Sequence, residues 1–365
     1  MKIVLIARNT LYSSPGGDTV QICSTAKYLR KLGVEVDILL ASDCINYTAY
    51  DLIHFFNIIR PDDILPHINH CIPFVISTVF VEYSEFEKSN KEGFKSIIFQ
   101  TLSSGQIEFL KVIARWFKNG DKIQSKYYLL HGHKASISHI MSMAKALLPN
   151  SHSEYNRLYN YTKLKVNYKK IVNAIDPIIF CDDIEPNEIY RDHVICVGRI
   201  EGIKNQLNLI KALMGTEVQL TVIGKPAPNH LKYYKQCKSL ASTVNNIHFL
   251  EHLSHRDLVK IYKAAKVHVL PSWFETTGLS SLEAGAMDCN LVITAKGDTV
   301  EYFGNLAYYC EPDDITSIRE AVLKAYHEPV NLELKQNILK NYTWIQTAEQ
   351  TLEAYKLVLQ ETKCA

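Results

Sequence analysis

Pro271-Ser-Trp-Phe-Glu275-Thr-Thr-Gly278-Leu-Ser-Ser-Leu-Glu283-Ala-Gly-Ala-Met287 is the stretch around which the chain is organised. The apolar run Val267 to Leu270 ahead of it reads as a buried strand, and the pattern from Ser280 onward reads as a helix. Between them lies a tight loop in which Gly278 permits close approach of the backbone to a ligand. The amides of Gly278 to Ser281 fall at the first helical turn, where N–H groups have no partner within the helix and form a seat for phosphate. Glu275 stands before that seat and Glu283 one turn into the helix. Amides for a diphosphate, with carboxylate acceptors for hydroxyls on either side, suit a nucleotide-sugar.

A second informative stretch precedes this one. His193-Val-Ile-Cys-Val197 has strand character and runs into Gly198-Arg199-Ile-Glu-Gly-Ile-Lys204-Asn-Gln. Arg199 and Lys204 flank a strand-to-helix turn, and two fixed cations at such a turn suit a diphosphate leaving group, on which negative charge grows.

Glu275, seven residues, Glu283 and then Ala-Gly-Ala-Met resemble the signature of retaining glycosyltransferases of family 4. The resemblance implies the GT-B fold: an α/β chain of two Rossmann-like, doubly wound parallel-sheet domains facing across a cleft. It implies that Glu275 contacts the donor sugar and Glu283 the nucleotide ribose, while Thr276, Thr277, Gly278 and Leu279 line the diphosphate. Gly198, Arg199 and Lys204 take up the departing diphosphate, and Gly224-Lys225 and His252-Leu253 match the loops that wall in the nucleobase. Gly16 and Gly17 match the N-terminal loop that faces the donor phosphates and the acceptor. In the family a histidine commonly follows the fourth strand and touches the donor sugar. Here that place reads Thr78-Val-Phe-Val-Glu82-Tyr-Ser-Glu85, so Glu82 is assigned the role, with Glu85, His54 and His133 as alternatives.

The rest of the chain is consistent with this plan. Lys2 to Ala7, Val34 to Leu40, Leu52 to Phe56 and Pro73 to Ser77 read as strands, with a helix from Thr19 to Leu32 closed by Gly33. Neither GxGxxG nor a P-loop lysine follows the first strand, so a dinucleotide or P-loop fingerprint is excluded. Ile140 to Asn150 resembles the last strand of the first domain, and Ser151 starts the next helix. Ser254 reads as the N-cap of a helix ending near Ala265. The expected division is residues 1–180, residues 181–345, and a last helix, 346–365, crossing back to the first domain.

With 365 residues, 47% hydrophobic and 21% charged, the chain has ordinary globular composition. A net charge of +2 argues against a general nucleic-acid binder. The nine cysteines show no CxxC or other metal spacing, and free thiols in a reducing compartment are expected, Cys44, Cys71, Cys196 and Cys289 among them as partly buried groups. No signal peptide and no membrane-spanning apolar run is read, so a cytoplasmic protein is expected. Between Lys88 and Lys134 basic residues outnumber acidic ones, and Ile107, Leu110, Ala114 and Phe117 fall on one helical face. Contact with an anionic inner leaflet through 88–134 is therefore one reading, beside an ordinary packed helix.

The expectation is a retaining transfer of sugar from a nucleoside-diphosphate sugar to a glycan or lipid-linked glycan acceptor, without a metal or other cofactor. Bacterial surface polysaccharide, such as O-antigen or capsule, is the expected setting. A nucleotide-sugar 2-epimerase of the same fold and a catalytically silent sugar-nucleotide-binding subunit are the alternatives.

Overall fold

Short apolar runs become parallel strands, and the amphipathic stretches between them become crossover helices, in each of two units. The computed structural model describes residues 1–365 except 83–85, 87–104, 111, 113–122, 182, 252 and 365. One unit comprises residues 1–173 with 344–365 and the other residues 174–343.

The first unit runs β1 (Lys2–Ala7), α1 (Gly17–Lys31), β2 (Glu35–Leu40), β3 (Leu52–Phe56), α2 (Pro61–Ile64), β4 (Phe74–Ser77), α3 (Lys126–Met143), β5 (Ala146–Leu147) and α4 (His152–Thr162). Its strands form a parallel sheet in the order β2-β1-β3-β4-β5. β3 and β4 are buried along their whole length, as strands covered on both faces are. α1 ends at Gly33, whose φ of +79° turns the chain. The Gly33 amide then donates to Arg30 O and the Val34 amide to Leu29 O, satisfying carbonyls that the helix leaves open. Only Ala146 and Leu147 of the stretch 140–150 pair with β4. Ile140 and Met141 instead finish α3, because with Ile137 they make a buried face at helical spacing.

The second unit runs β6 (Val194–Val197), α5 (Gln206–Leu213), β7 (Leu220–Ile223), α6 (Leu231–Ala241), β8 (Ile247–Leu250), α7 (His255–Ala264), β9 (Val267–Leu270), α8 (Leu279–Ala286), β10 (Asn290–Ile293), α9 (Thr299–Phe303), β11 (Tyr308–Tyr309), α10 (Ile315–His327) and α11 (Leu332–Asn341). Its strands are again parallel, in the order β11-β10-β9-β6-β7-β8. The chain builds from β6 through β7 and β8 to one edge, and from β9 through β10 and β11 to the other. Strand order therefore reverses between β6 and β9, and in an open parallel sheet ligands bind beyond the carboxyl ends of the strands at that point.

Helix α11 has no counterpart in the sequence reading. Its Leu334 and Ile338 are buried against α8, where a Cβ on Gly285 would lie 2.6 Å from Ile338 Cδ1 and 3.2 Å from Leu334 Cδ2. Gly285, two residues past Glu283, thus lets the two helices approach closely. The last helix, α12 (Trp344–Cys364), belongs to the first unit. There Thr347 Oγ1 donates to Val172 O at 2.9 Å, and Tyr355 Oη lies 2.6 Å from His54 Nδ1.

Most of the segment 88–134 lies outside the described residues, including Lys111, Arg115 and Lys118, as do Glu85 and His252. Among the described residues no helix is long and apolar enough to cross a membrane. Cys196 and Cys289 are buried thiols, whereas Cys44 and Cys71 are exposed rather than partly buried.

Candidate functional site

The loop that follows β6 is fastened to the loop that follows β7. The Gly198 amide donates to Ile223 O at 3.0 Å and the Ile200 amide to Lys225 O at 2.9 Å. The approach is so close that a Cβ on Gly224 would fall 2.0 Å from Gly198 O. Lys225 itself is exposed. The Arg199 side chain is about half exposed and its Nη2 lies 3.0 Å from Glu201 Oε1. A short helical turn, Gly202–Lys204, then brings Lys204 inward. Asn205 closes that turn at φ 60°, a left-handed conformation that asparagine tolerates. Its side chain donates to Pro271 O (3.0 Å) and Pro312 O (2.6 Å), which ties the Lys204 turn to the loop after β9.

In that second loop Glu275 is buried. Lys204 Nζ lies 2.5 Å from Glu275 Oε1, and the buried Ser272 hydroxyl donates to the same oxygen at 2.6 Å. The backbone is pinned as well: the Glu275 amide donates to Lys296 O (3.1 Å) and its carbonyl accepts from Asp298 N (2.9 Å). Thr276 is half-buried and Thr277 buried. Gly278, at φ +72°, starts α8 by accepting at its carbonyl from Ser281 N (2.8 Å) and Leu282 N (3.1 Å). The amides of Leu279 and Ser280 therefore lie in the first turn, where helical geometry supplies no partner. One turn on, Glu283 Oε2 accepts from the fully buried Tyr262 Oη at 3.2 Å. Burial pushes the Glu283 carboxyl up to about 7, and the Tyr262 hydroxyl acts in the opposite direction.

Leu253 is half-buried at the end of the loop after β8, and its neighbour His252 lies outside the described residues. Among the described residues no group of three or more His, Cys, Asp or Glu is arranged to hold a metal ion.

In the first unit Gly16 caps α1 and Gly17 is its first residue. The loop leading to them is held by Arg8, which sequence reasoning passed over. Its Nε lies 2.5 Å from Asp18 Oδ2, its Nη2 donates to Ser14 O (2.8 Å) and its Nη1 to Thr10 O (2.8 Å). Glu82 is exposed in the coil after β4. The second residue of that coil is strained: Val79 has φ 45°, unusual for a β-branched side chain. The buried Glu154 brackets it, accepting from Thr78 Oγ1 on one side and from the Phe80 amide (2.7 Å) on the other. His54 and His133 are core residues. His54 lies between Ser77 Oγ (2.9 Å) and Tyr355 Oη (2.6 Å), and burial takes its ring down to about 3. His133 lies between Tyr161 Oη and Ile59 O, each at 3.1 Å. Both rings have both nitrogens engaged inside the first unit.

The structure thus places Gly198, Arg199, Lys204, Glu275 and Gly278 on the loops beyond β6 and β9, and Leu279 and Glu283 in the first turns of α8. Ser272, Tyr262 and Asn205 join them without having been read from the sequence. For Ser272 a signal was present, since a hydroxyl three residues from a carboxylate in a loop is within bonding reach. For Tyr262, on a separate helix, there was none.

Residues 185–343 match the family described as Glycosyl transferases group 1. The chain is 24% identical over 230 residues to O-antigen chain mannosyltransferase B of Escherichia coli, covering 57% of this chain and 58% of that protein. The first curated relatives it matches are spanned for only 30%, 58% and 50% of their lengths. Among solved structures, sucrose-phosphate synthase from Thermosynechococcus elongatus superimposes with a TM-score of 0.71 at 15% identity, over 99% of this chain and 100% of that one. Anabaena HepE in complex with UDP-glucose gives 0.69 at 13% identity, over 98% and 99% of the two chains. The match to the glycosyl transferases group 1 family thus falls within the second parallel-sheet unit, and the two Rossmann-like units of the chain have the GT-B fold.

Proposed function

We propose that the protein is a retaining glycosyltransferase of the family 4 kind, moving a sugar from a nucleoside-diphosphate sugar to an acceptor hydroxyl. The observation that carries the reading is the meeting of Lys204 and Glu275 at the strand-order reversal between β6 and β9, beside the first turn of α8. Charge develops on the diphosphate as its bond to the sugar breaks. Arg199, Lys204 and the amides of Gly278 to Ser280 are set to receive it without reorganising, which is the property that lowers a barrier. Glu275 orients the sugar and Glu283 accepts from the ribose. The new bond forms on the face from which the diphosphate leaves, so the anomeric configuration is kept.

Assembly of a bacterial surface polysaccharide is the setting we infer. A relative named as an O-antigen chain mannosyltransferase supports it. The basic excess between Lys88 and Lys134 supports peripheral contact with an anionic inner leaflet, where a lipid-linked acceptor would be met. Thermal shift with UDP-glucose and GDP-mannose tests the donor site, because a bound donor raises folding stability by mass action. Product analysis with an acceptor panel, reading the anomeric configuration by NMR, tests the reaction. Inversion, or epimerised sugar formed without acceptor, defeats it.

A further inference from the structure

Each of the two glutamates has one carboxylate oxygen held by a buried hydroxyl, and the two hydroxyls come from different elements. Ser272, in the loop after β9, donates to Glu275 Oε1 at 2.6 Å. Tyr262, in α7, donates to Glu283 Oε2 at 3.2 Å. Ser272 and Tyr262 are both fully buried. The last torsion of a glutamate is broad, so a carboxylate without such a contact presents either oxygen in a range of directions. A hydroxyl bonded to one oxygen narrows that range and decides which oxygen faces outward.

Stability alone is a weak reason for these hydroxyls. A buried hydrogen-bonded pair adds little over apolar groups of the same shape. At Glu275 there is a further reason for a second contact. Lys204 shares Oε1, but its ammonium sits on a long flexible stem and has three donors to distribute, so a diphosphate competes for it. Ser272 reaches Glu275 over three residues of a pinned loop and has no such competitor.

We propose that Ser272 and Tyr262 are positioning residues that select the oxygen each glutamate offers to the donor: Glu275 Oε2 to a sugar hydroxyl and Glu283 Oε1 to a ribose hydroxyl. The inference rests on the nucleotide-sugar reading above. It assigns the two hydroxyls to opposite ends of the donor, so their removal has different consequences.

Calorimetric titration with UDP, UDP-glucose, GDP and GDP-mannose separates those ends without an acceptor. For the pair that binds, Ser272→Ala lowers affinity for the nucleotide-sugar roughly tenfold relative to the free nucleoside diphosphate, and leaves the latter unchanged. Tyr262→Phe lowers both affinities alike. It also moves the pH at which nucleotide affinity develops upward, because a bond that favours the ionised carboxylate is lost. In a Glu275→Gln background, Ser272→Ala adds nothing further, since both act through one carboxylate. An unchanged ratio in Ser272→Ala, or equal losses in both variants with no pH shift, assigns both hydroxyls to packing and overturns the inference alone. A wild-type protein that binds none of the four ligands removes the nucleotide-sugar reading itself, and the positioning roles with it.

Discussion

Lys204 Nζ lies 2.5 Å from Glu275 Oε1 across 71 positions of sequence. The two meet because β6 and β9 are hydrogen-bonded neighbours, Val194 beside Val267 and Ile195 beside His268, so the loops at their carboxyl ends open side by side. The pair is well shielded from solvent. On the proposed reading, the ammonium contacts Glu275 through one donor and has two more to offer phosphate oxygens.

Lys204→Ala therefore has two effects. Loss of one preorganised charge donor lowers turnover on the order of a hundredfold or more. On the proposed reading both cations serve one diphosphate, so Arg199→Ala acts in the same direction and the double variant falls short of the sum. Lys204→Ala also leaves a buried carboxylate with Ser272 as its side-chain partner among the described residues, which costs about 1–3 kcal/mol in urea denaturation. Wild-type turnover in Lys204→Ala removes the leaving-group assignment.

Glu283 supplies a pH signature. In the folded chain it keeps its proton up to about 7, against an ordinary value of 4.5. Between these values the folded state binds more protons than the unfolded one, so this group's contribution to stability is fully present below about pH 4.5 and is lost as pH rises through about 7. Glu283→Gln cannot ionise, so the wild-type-minus-variant difference in unfolding free energy carries that slope and levels off above neutrality. A flat difference across the window shows that burial does not shift this carboxyl. If ionised Glu283 accepts from the ribose, affinity for the free nucleoside diphosphate rises over the same interval in the wild type and not in the variant.

Gly297 is the backbone counterpart of Ser272. It has φ +98°, and a Cβ there would lie 2.0 Å from Glu275 O. Gly297→Ala must push the Glu275 loop away, which costs about 1–3 kcal/mol by analogy with overpacked cores. Affinity for a nucleotide-sugar should fall more than affinity for the nucleotide if, as proposed, Glu275 orients the sugar. Thermal unfolding with titrations of both ligands checks this, and equal losses speak against a sugar-side role for Glu275.

In the first unit, Glu154→Gln tests the strained turn after β4. Glu154 is fully buried and accepts from Thr78 Oγ1, from the Phe80 amide at 2.7 Å and, through Oε2, from the Asn150 amide at 2.7 Å. The glutamine amide nitrogen cannot accept, so one donor is left facing another. A loss of about 2–3 kcal/mol is expected, the scale for a hydrogen bond to a charged group. Urea denaturation measures it, and an unchanged midpoint would show that the turn holds without the carboxylate.

Sequence by itself was enough for whatever depends on residues close together in the chain. The apolar runs of β1, β3, β6 and β9 announce parallel strands, Gly33 ends α1, and Ser254 caps α7 by accepting from Asp257 N. Gly278, at φ +72°, starts α8 as the local sequence pattern had it, with Glu275 in the loop before it and Glu283 one turn in. Tertiary structure decided what depends on which strands are neighbours and what lies behind them. It buried His54 and His133 with both nitrogens engaged, taking them out of the candidates for a donor contact. It put the Tyr262 hydroxyl behind Glu283, brought Lys204 to Glu275, and closed Arg8 on Asp18. Turn, cap and period signals act over a few residues, whereas sheet order is set by burying many faces at once, and no local pattern encodes which side chains then meet.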